Sequence, residues 1–253
     1  MVAETSVRHD WRMDSGSAAA AVASWAALLA DHTRATVCLA LLDGRAWTLG
    51  ELARHARVAV STLSQHADRL VAAGLLVQHR QGRHRYLQLA DAHTASLIEA
   101  VAAAAGHHPA PARSLSGVHR DRALAHARTC YDHLAGTVAV AIAEAMTHQG
   151  LLTWRHGLAL TTDGLTWLED LGIALPDTGD SRRPVLRACL DFTVRRPHLA
   201  GTVGAALCRH AFTAGWITRI GTSRAVTITT TGRQAMARHL GIDEQTLRQP
   251  GTV

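Results

Sequence analysis

The side chains best suited to chemistry lie in the segment 60–89, where hydroxyl and amide groups are followed closely by arginines and histidines. Its first part, VSTLSQHADRLVAA, repeats Leu63, Ala67 and Leu70 at the spacing of one buried helix face. The remaining side chains have the length and polarity to reach base edges and phosphates, as a recognition helix in the major groove requires. We expect the nucleic-acid contacts of this helix to come from Ser61, Thr62, Ser64, Gln65, His66 and Arg69.

A cationic hairpin is predicted directly after this helix. Residues 75–80 and 84–89 alternate loosely enough to pair as strands, with 81–83 at the turn. A narrow, electronegative minor groove would attract cations at such a tip. A polar helix face alone is more often simply solvated, but the neighbouring hairpin favours a nucleic-acid interface. The expected contacts of the hairpin are Arg80, Arg83, His84 and Arg85.

Local signals predict how these side chains are positioned. Thr48 and Glu51 have the spacing of a capping box, which indicates a helix over about 49–56. Ser61 is then expected to cap a second helix that runs to Ala73, and Gly74 to end it in the left-handed conformation. The order helix, turn, helix and basic hairpin is that of a winged helix-turn-helix.

The charge of the chain is concentrated in this segment. The formal net charge is +6 and the isoelectric point about 10.0. Between residues 45 and 85, seven arginines face only two acidic residues. A sequence-indifferent chromosome-organising protein, a less favoured alternative, would need basic residues on several faces. The concentration of charge beside a hydroxyl-rich helix favours site-specific binding to double-stranded DNA.

Several motifs together resemble the DNA-binding domain of ArsR-type (arsenic-repressor-like) bacterial transcription regulators. The resemblance covers about residues 20–106, and the C-terminal half resembles longer actinobacterial members. It implies a homodimer built by helices at 18–29 and 91–105, which places paired recognition helices on an inverted-repeat operator. The motifs are LADHTR at 29–34, LLDG at 41–44, TLGELA at 48–53, STLSQH at 61–66, AGLL at 73–76 and GRHRY at 82–86.

Two metal sites that this resemblance makes relevant are absent or incomplete. The first needs a cysteine pair in the helix before the recognition helix, where this chain has Leu49, Gly50 and Leu52. The second needs Asp-x-His and two further ligands. Asp91 and His93 are present, but Ala104 and His107 occupy the other positions. We therefore expect no metal and no other cofactor, with Asp91 acting as a helix cap.

The second half of the chain contains an internal repeat. HLAGTV occurs at 133–138 and again at 198–203, and further matches follow at nearly the same offset. We infer two diverged winged-helix-like repeats whose apolar central helices are packed instead of reading bases. The expected organisation is a tail at 1–17, a winged-helix domain at 18–106, a linker at 107–115, repeats at 116–176 and 177–245, and a tail at 246–253. The fold class is mainly α with small β-hairpin wings.

The repeats are equally suited to enlarging the dimer or to binding an effector. Apolar helices, tryptophans and thiols suit a pocket for a small apolar or aromatic molecule. The candidate ligand-binding residues are Trp154, Trp167, Trp216, Cys130 and Cys189. We expect a repressor that such an effector releases from DNA. A metal- or thiol-responsive regulator is the alternative.

Other classes of protein are disfavoured. The chain contains neither GxGxxG nor a P-loop motif, and no obvious catalytic triad or HExxH helix, so we expect no catalytic residues and no enzyme. The four cysteines form no CxxC pair, which suits a reducing cytoplasm. The apolar stretch 18–30 is too short to span a bilayer and follows acidic residues where a signal peptide needs cations, so no membrane association is expected.

Overall fold

The structure is a computed structural model that describes residues 15–106, 115–155, 157–175 and 184–248. Its N-terminal part is a winged helix-turn-helix, as the sequence predicted. The helices of this part are α1 (Ser15–Leu29), α2 (His32–Ala40), α3 (Leu49–Ala56), α4 (Val60–Ala72) and α5 (Ala92–Ala104), and a 3-10 turn covers Leu41–Asp43. The strands are β1 (Trp47–Thr48), β2 (Leu76–Gln81) and β3 (His84–Leu89), in the antiparallel order β1-β3-β2.

The predicted caps of this part are mostly confirmed. Thr48 and Glu51 form the full capping box of α3, and Asp91 caps α5 by accepting a hydrogen bond from the Thr94 amide at 2.7 Å. Gly74 adopts a φ of +73° after α4. The prediction that Ser61 caps α4 is wrong. The cap is Ala59, which makes no side-chain hydrogen bond, because the helix already begins at Val60.

One apolar core holds the winged helix together. The inward stripe of α4 is fully buried, with Leu63 and Leu70 0% and Ala67 1% exposed. It packs with Leu52 of α3 and Leu87 of β3. Burying each large aliphatic side chain contributes about 1.5–3 kcal/mol. The orientation of α4 is therefore fixed by one face, which leaves its other face to the surface.

The C-terminal part runs twice through the order strand pair, helix, hairpin, helix. After α6 (Leu115–His126), the first run consists of β4 (Arg128–Cys130), β5 (His133–Ala135), α7 (Thr137–His148), β6 (Leu152–Thr153), β7 (Ala159–Leu160) and α8 (Thr162–Asp170). The second consists of β8 (Arg187–Leu190), β9 (Pro197–Ala200), α9 (Gly201–Thr213), β10 (Ile217–Arg219), β11 (Val226–Ile228) and α10 (Thr230–Leu240), and α11 (Glu244–Leu247) follows.

Matching glycines shape the two runs in the same way. Gly164 at the start of α8 lies so close to the preceding hairpin that a Cβ would sit 2.1 Å from the Leu151 carbonyl oxygen. Gly232 in α10 has the same relation to the carbonyl oxygen of Trp216. Only glycine allows these backbones to approach so closely.

The two runs share one core instead of folding as separate bodies. Met146 of α7 and Ile217 of β10 belong to one buried cluster. Helix α7 also packs on β9, and α9 packs on β5, so each central helix covers a strand of the other run. Both helices are largely buried, as predicted. A boundary between 176 and 177 therefore does not separate independent cores.

The predicted tails and linker correspond only in part to the structure. Helix α1 begins at Ser15, inside the range predicted as a tail. At the other end, Leu247 is 1% exposed and packs into the C-terminal core, because Asp243 caps a short helix that turns it inward. The linker prediction at 107–115 falls almost entirely outside the described residues.

Candidate functional site

The exposed face of α4 carries the side chains that the sequence assigned to it. Ser61, Thr62, Gln65 and Arg69 are exposed, and Ser64 is half-buried. Because Ala59 offers no side-chain cap, the first amides of the helix are available to donate hydrogen bonds to a phosphate. Hydroxyl, amide and guanidinium groups thus share one surface with an open helix N-terminus.

The hairpin of β2 and β3 presents its cations beside this face. Arg80, Arg83 and His84 are exposed. Among the described residues, neither Arg80, Arg83 nor Arg69 forms an ion pair. These guanidinium groups are therefore free to contact phosphates or a groove.

Arg85 has a different position from the other hairpin cations. It lies directly opposite Arg80 in the strand register, where two like charges would repel. Its guanidinium instead reaches back to α4, with Nη2 2.7 Å from Asp68 Oδ1 and Nη1 3.4 Å from Ser64 Oγ. Arg85 thus braces the hairpin against the recognition helix. This pairing with Asp68 was not predicted from the sequence, where Asp68 is one of only two acidic residues among seven arginines.

His66 is likewise turned toward the interior of the domain. Its Nδ1 lies 3.6 Å from Oδ1 of Asp31, the residue that caps α2. The hydrogen bond from the Arg34 amide, more than the nearby His66, lowers the pKa of Asp31. The ten predicted residues thus lie on α4 and on the hairpin that packs beside it. Seven are exposed, while Ser64, His66 and Arg85 are half-buried and turn toward neighbouring protein groups.

The three tryptophans predicted to form an effector pocket have different surroundings. Trp154 lines an open groove of about 410 Å³ together with Glu144 and Arg196. Trp167 packs at the edge of the C-terminal core. Trp216 contacts two histidine rings, with centroids 4.9 Å from His210 and 6.1 Å from His239.

The predicted cysteines, in contrast, come together. Cys130 and Cys189 lie in one cluster with His133 and His198, two residues that the sequence analysis did not single out. The hydrogen bond between the two thiols, together with burial, raises the pKa of Cys130 to about 12. The same hydrogen bond lowers the pKa of Cys189. In the sequence, the exact HLAGTV repeat, which places a histidine in each copy, was the pattern that could have identified these two histidines.

A buried ionic network joins this cluster to the winged helix. Glu99 of α5 is 4% exposed and accepts hydrogen bonds from Arg224 Nη2 at 2.5 Å, Arg128 Nε at 3.4 Å and Cys130 Sγ at 3.2 Å. Burial opposes ionisation of Glu99, but the two guanidinium groups outweigh it and lower its pKa. Glu99 is therefore ionised at neutral pH.

The same network continues into the second run of the C-terminal part. Arg128 Nη2 donates to Asp191 Oδ2 at 3.0 Å, and the amide of Gly136 donates to the same oxygen at 2.6 Å. Burial would raise the pKa of Asp191, but Arg128 and several hydrogen bonds lower it to about 2. Arg224 also donates to the carbonyl oxygen of Leu42 at 2.7 Å. We call Glu99, Arg128, Asp191 and Arg224 the interdomain network.

The described helices include none that is long and apolar enough to cross a bilayer. A sequence profile described as a helix-turn-helix domain matches residues 29–79. This range contains α4 and most of the surface described above.

The similarity of this chain to known proteins extends beyond this domain. YdfF, an HTH-type transcriptional regulator of Bacillus subtilis, is 37% identical over 225 residues, which cover 87% of this chain and 97% of YdfF. CmtR, an HTH-type transcriptional regulator of Mycobacterium tuberculosis, is 38% identical over 94 residues, which cover 35% of this chain and 79% of CmtR.

A solved structure also resembles part of the chain. It is a homodimeric winged helix-turn-helix domain of a possible ArsR-family regulator from Mycobacterium bovis, with 21% identity and a TM-score of 0.35. The match covers 39% of this chain and 91% of that domain. The family assignment rests instead on YdfF, whose similarity spans both halves. This chain belongs to the HTH-type transcriptional regulators, and it is a DNA-binding protein of that family.

Proposed function

We propose that the protein is an ArsR-type homodimeric repressor in the cytoplasm that binds an inverted-repeat operator in double-stranded DNA. The observation that carries this proposal is the exposed face of α4 beside Arg80 and Arg83, which are exposed and form no ion pair with any residue that the structure describes. The face supplies groups that discriminate base edges, while Arg80 and Arg83 supply charge for the backbone or minor groove. The similarity to CmtR over about the length of this domain supports it.

The dimer is proposed to form through α1 and α5. Both helices leave large apolar side chains exposed, with Val22 69%, Leu97 41% and Val101 48% accessible. Apolar surface of this kind marks association sites. A two-fold pairing of these helices would place two copies of α4 about one DNA turn apart.

The experiment that tests DNA recognition compares the protein's own promoter region with random duplex at equal salt. A site-specific repressor binds the promoter more tightly by a factor of about 10³ or more. Equal affinity for both duplexes would contradict the proposal, because charge alone gives no preference for sequence.

Two variants separate the proposed roles. Arg83→Ala should weaken binding to every duplex, whereas Gln65→Ala should relax preference at one or two base pairs, at a cost of about 1–3 kcal/mol for the preferred sequence. Both side chains are exposed, so neither change disturbs the core. Equal losses on all duplexes for both variants would contradict this division of roles.

We further propose that an effector acts through the C-terminal part. Its route to the winged helix is the interdomain network, since Glu99 lies on α5 and its partners lie in both C-terminal runs. The groove at Trp154 is lined by neither Trp167 nor Trp216, which does not support a single aromatic pocket formed by all three. The convergence of Cys130 and Cys189 with two histidines supports the alternative of a metal- or thiol-responsive regulator.

This proposal is tested by a variant that still binds the operator but no longer responds to an effector. The variant Arg224→Met should retain operator binding but respond less to an effector, because it removes the shortest of the three hydrogen bonds from the C-terminal part to Glu99. Full response in a folded Arg224→Met protein would show that the signal does not travel through this contact.

A further inference from the structure

Four potential metal ligands meet inside the C-terminal part. The Sγ atoms of Cys130 and Cys189 and one ring nitrogen each of His133 and His198 all lie within 4.8 Å of one another. Cys130, His133 and His198 are each 1% exposed. Cys189 is only half-buried, which leaves a path by which an ion can enter.

The backbone explains why the ligands converge. Cys130 pairs with His133 across β4 and β5, and Cys189 pairs with His198 across β8 and β9. Side chains directly opposite each other on antiparallel strands lie close together. Each strand pair therefore presents one sulfur and one imidazole, and the two imidazole centroids are 5.1 Å apart.

The buried histidines lack the partners that buried polar groups normally have. Nε2 of His133 and both ring nitrogens of His198 are buried without a hydrogen bond. A core histidine serving only as packing would leave these nitrogens desolvated at a cost. A metal ion would give an imidazole nitrogen of each residue the partner it lacks.

A carboxylate lies near Nδ1 of each of the two histidines. Nδ1 of His133 lies 3.5 Å from Asp132 Oδ1, and Nδ1 of His198 lies 3.8 Å from Asp191 Oδ2. Histidines that bind metals through one nitrogen commonly face a carboxylate with the other. The order Cys-x-Asp followed by His occurs in both runs, so each run supplies the same ligands and the same support.

The type of donor selects the class of ion. Two thiolates and two imidazoles are the donors of structural zinc sites, which are tetrahedral and closed to substrate. With Zn–S near 2.3 Å and Zn–N near 2.0–2.1 Å, the edges of such a tetrahedron measure about 3.3–3.8 Å. Each pair of ligand atoms would have to approach by about 1.5 Å at most. A disulfide between the two cysteines would leave both histidines without partners.

We propose that Cys130, His133, Cys189 and His198 bind one zinc ion per chain and so fasten the two C-terminal runs to each other. The proposal does not rest on DNA binding. The expectation of no metal rested on two sites in the winged helix, and neither includes these four residues. The ligands found here come from both C-terminal runs, and the two histidines are 65 residues apart.

The test uses the full chain, reduced with a phosphine, stripped of metal and titrated with Co²⁺. One equivalent should produce thiolate-to-metal charge transfer and the strong d–d absorption of tetrahedral Co²⁺, and one equivalent of Zn²⁺ should remove both. Cys130→Ser and Cys189→Ser should each abolish the charge-transfer and tetrahedral bands of the wild type. Cys208→Ala removes a buried thiol outside the cluster and should leave the stoichiometry at one.

The wild-type titration decides the matter even if the serine variants fail to fold. Less than half an equivalent of bound Co²⁺, or the weak absorption of octahedral Co²⁺, would overturn the proposal. Unchanged spectra in folded Cys130→Ser or Cys189→Ser protein would overturn it as well. Neither result depends on an operator, so failure here is distinct from failure of the proposed DNA-binding function.

Discussion

The charge of Glu99 should be worth more to stability than any exposed ion pair of this chain. Its carboxylate is 4% exposed and lies 2.5 Å from Arg224 Nη2 and 3.4 Å from Arg128 Nε. Glu99→Gln keeps the size and one acceptor oxygen but removes the charge. Arg128 would then keep Asp191 as its charged partner, whereas Arg224 would lose its ion pair with Glu99.

The magnitude follows from the cost of an uncompensated buried charge. Removing one partner of a buried ion pair costs about 3–5 kcal/mol. The glutamine oxygen still accepts a hydrogen bond, so we expect the lower end, a loss of about 3 kcal/mol in the free energy of unfolding. Urea denaturation followed by circular dichroism measures it at pH 7, where Glu99 is ionised.

Glu244→Gln is the matched control. Glu244 pairs with Arg248 at 2.9 Å, but both side chains are at least 60% exposed. Exposed pairs contribute about 0–1 kcal/mol. If the two variants lose the same free energy of unfolding, then burial of the network does not strengthen it, and the reasoning is wrong.

Three further perturbations test other parts of the structure. Gly44→Ala should lower the free energy of unfolding by about 1–3 kcal/mol, because Gly44 has a φ of +82° and the new Cβ would lie 2.7 Å from Arg224 Cγ. Gly74→Ala, at a φ of +73° with no neighbouring atom near the new Cβ, should lower it less in the same urea denaturation assay. Asp68→Asn should raise the affinity for DNA, because it releases Arg85 to contact a phosphate. In fluorescence anisotropy titrations, the slope of log K against log salt should steepen by up to about 0.9 per protomer. Burial lowers the pKa of His126, so the contribution of the neutral imidazole to stability should be complete above its unfolded pKa of about 6.5 and should be lost as the pH falls through the lower folded value. His126→Asn should therefore reduce the change in the urea midpoint between pH 7 and pH 5 relative to wild type.

Local spacing was sufficient to predict the elements of the winged helix. The capping box at Thr48, the buried stripe of α4 and the left-handed Gly74 each depend on residues a few positions apart. The start of α4 was misplaced because Ser61 is a good capping residue, whereas the chain enters the helix at Ala59. Propensity identified the helix but not the residue at which the preceding turn ends.

Roles set by distant contacts were not predictable in the same way. In the sequence, Arg85 is one of four basic residues of a hairpin. Only the strand register, which places it opposite Arg80, and the fold, which brings Asp68 within 2.7 Å, distinguish it from the others. The Cys and His cluster depends on two strand pairs meeting across the C-terminal core. The repeat in the sequence marked both strand pairs, but only tertiary packing shows that they face each other.

Helix α5 is the element through which the two halves of the chain can influence each other. Glu99 points into the interdomain network, whereas Leu97 and Val101 remain exposed on the surface proposed to pair with a second protomer. A ligand shifts such an equilibrium only by its different affinity for the two arrangements. Couplings between sites are commonly about 1–3 kcal/mol, which is no more than the cost of breaking a buried ion pair. A signal through Glu99 therefore requires the network to rearrange, not to separate, and substitutions that preserve its charges but alter its geometry should affect the response more than the fold.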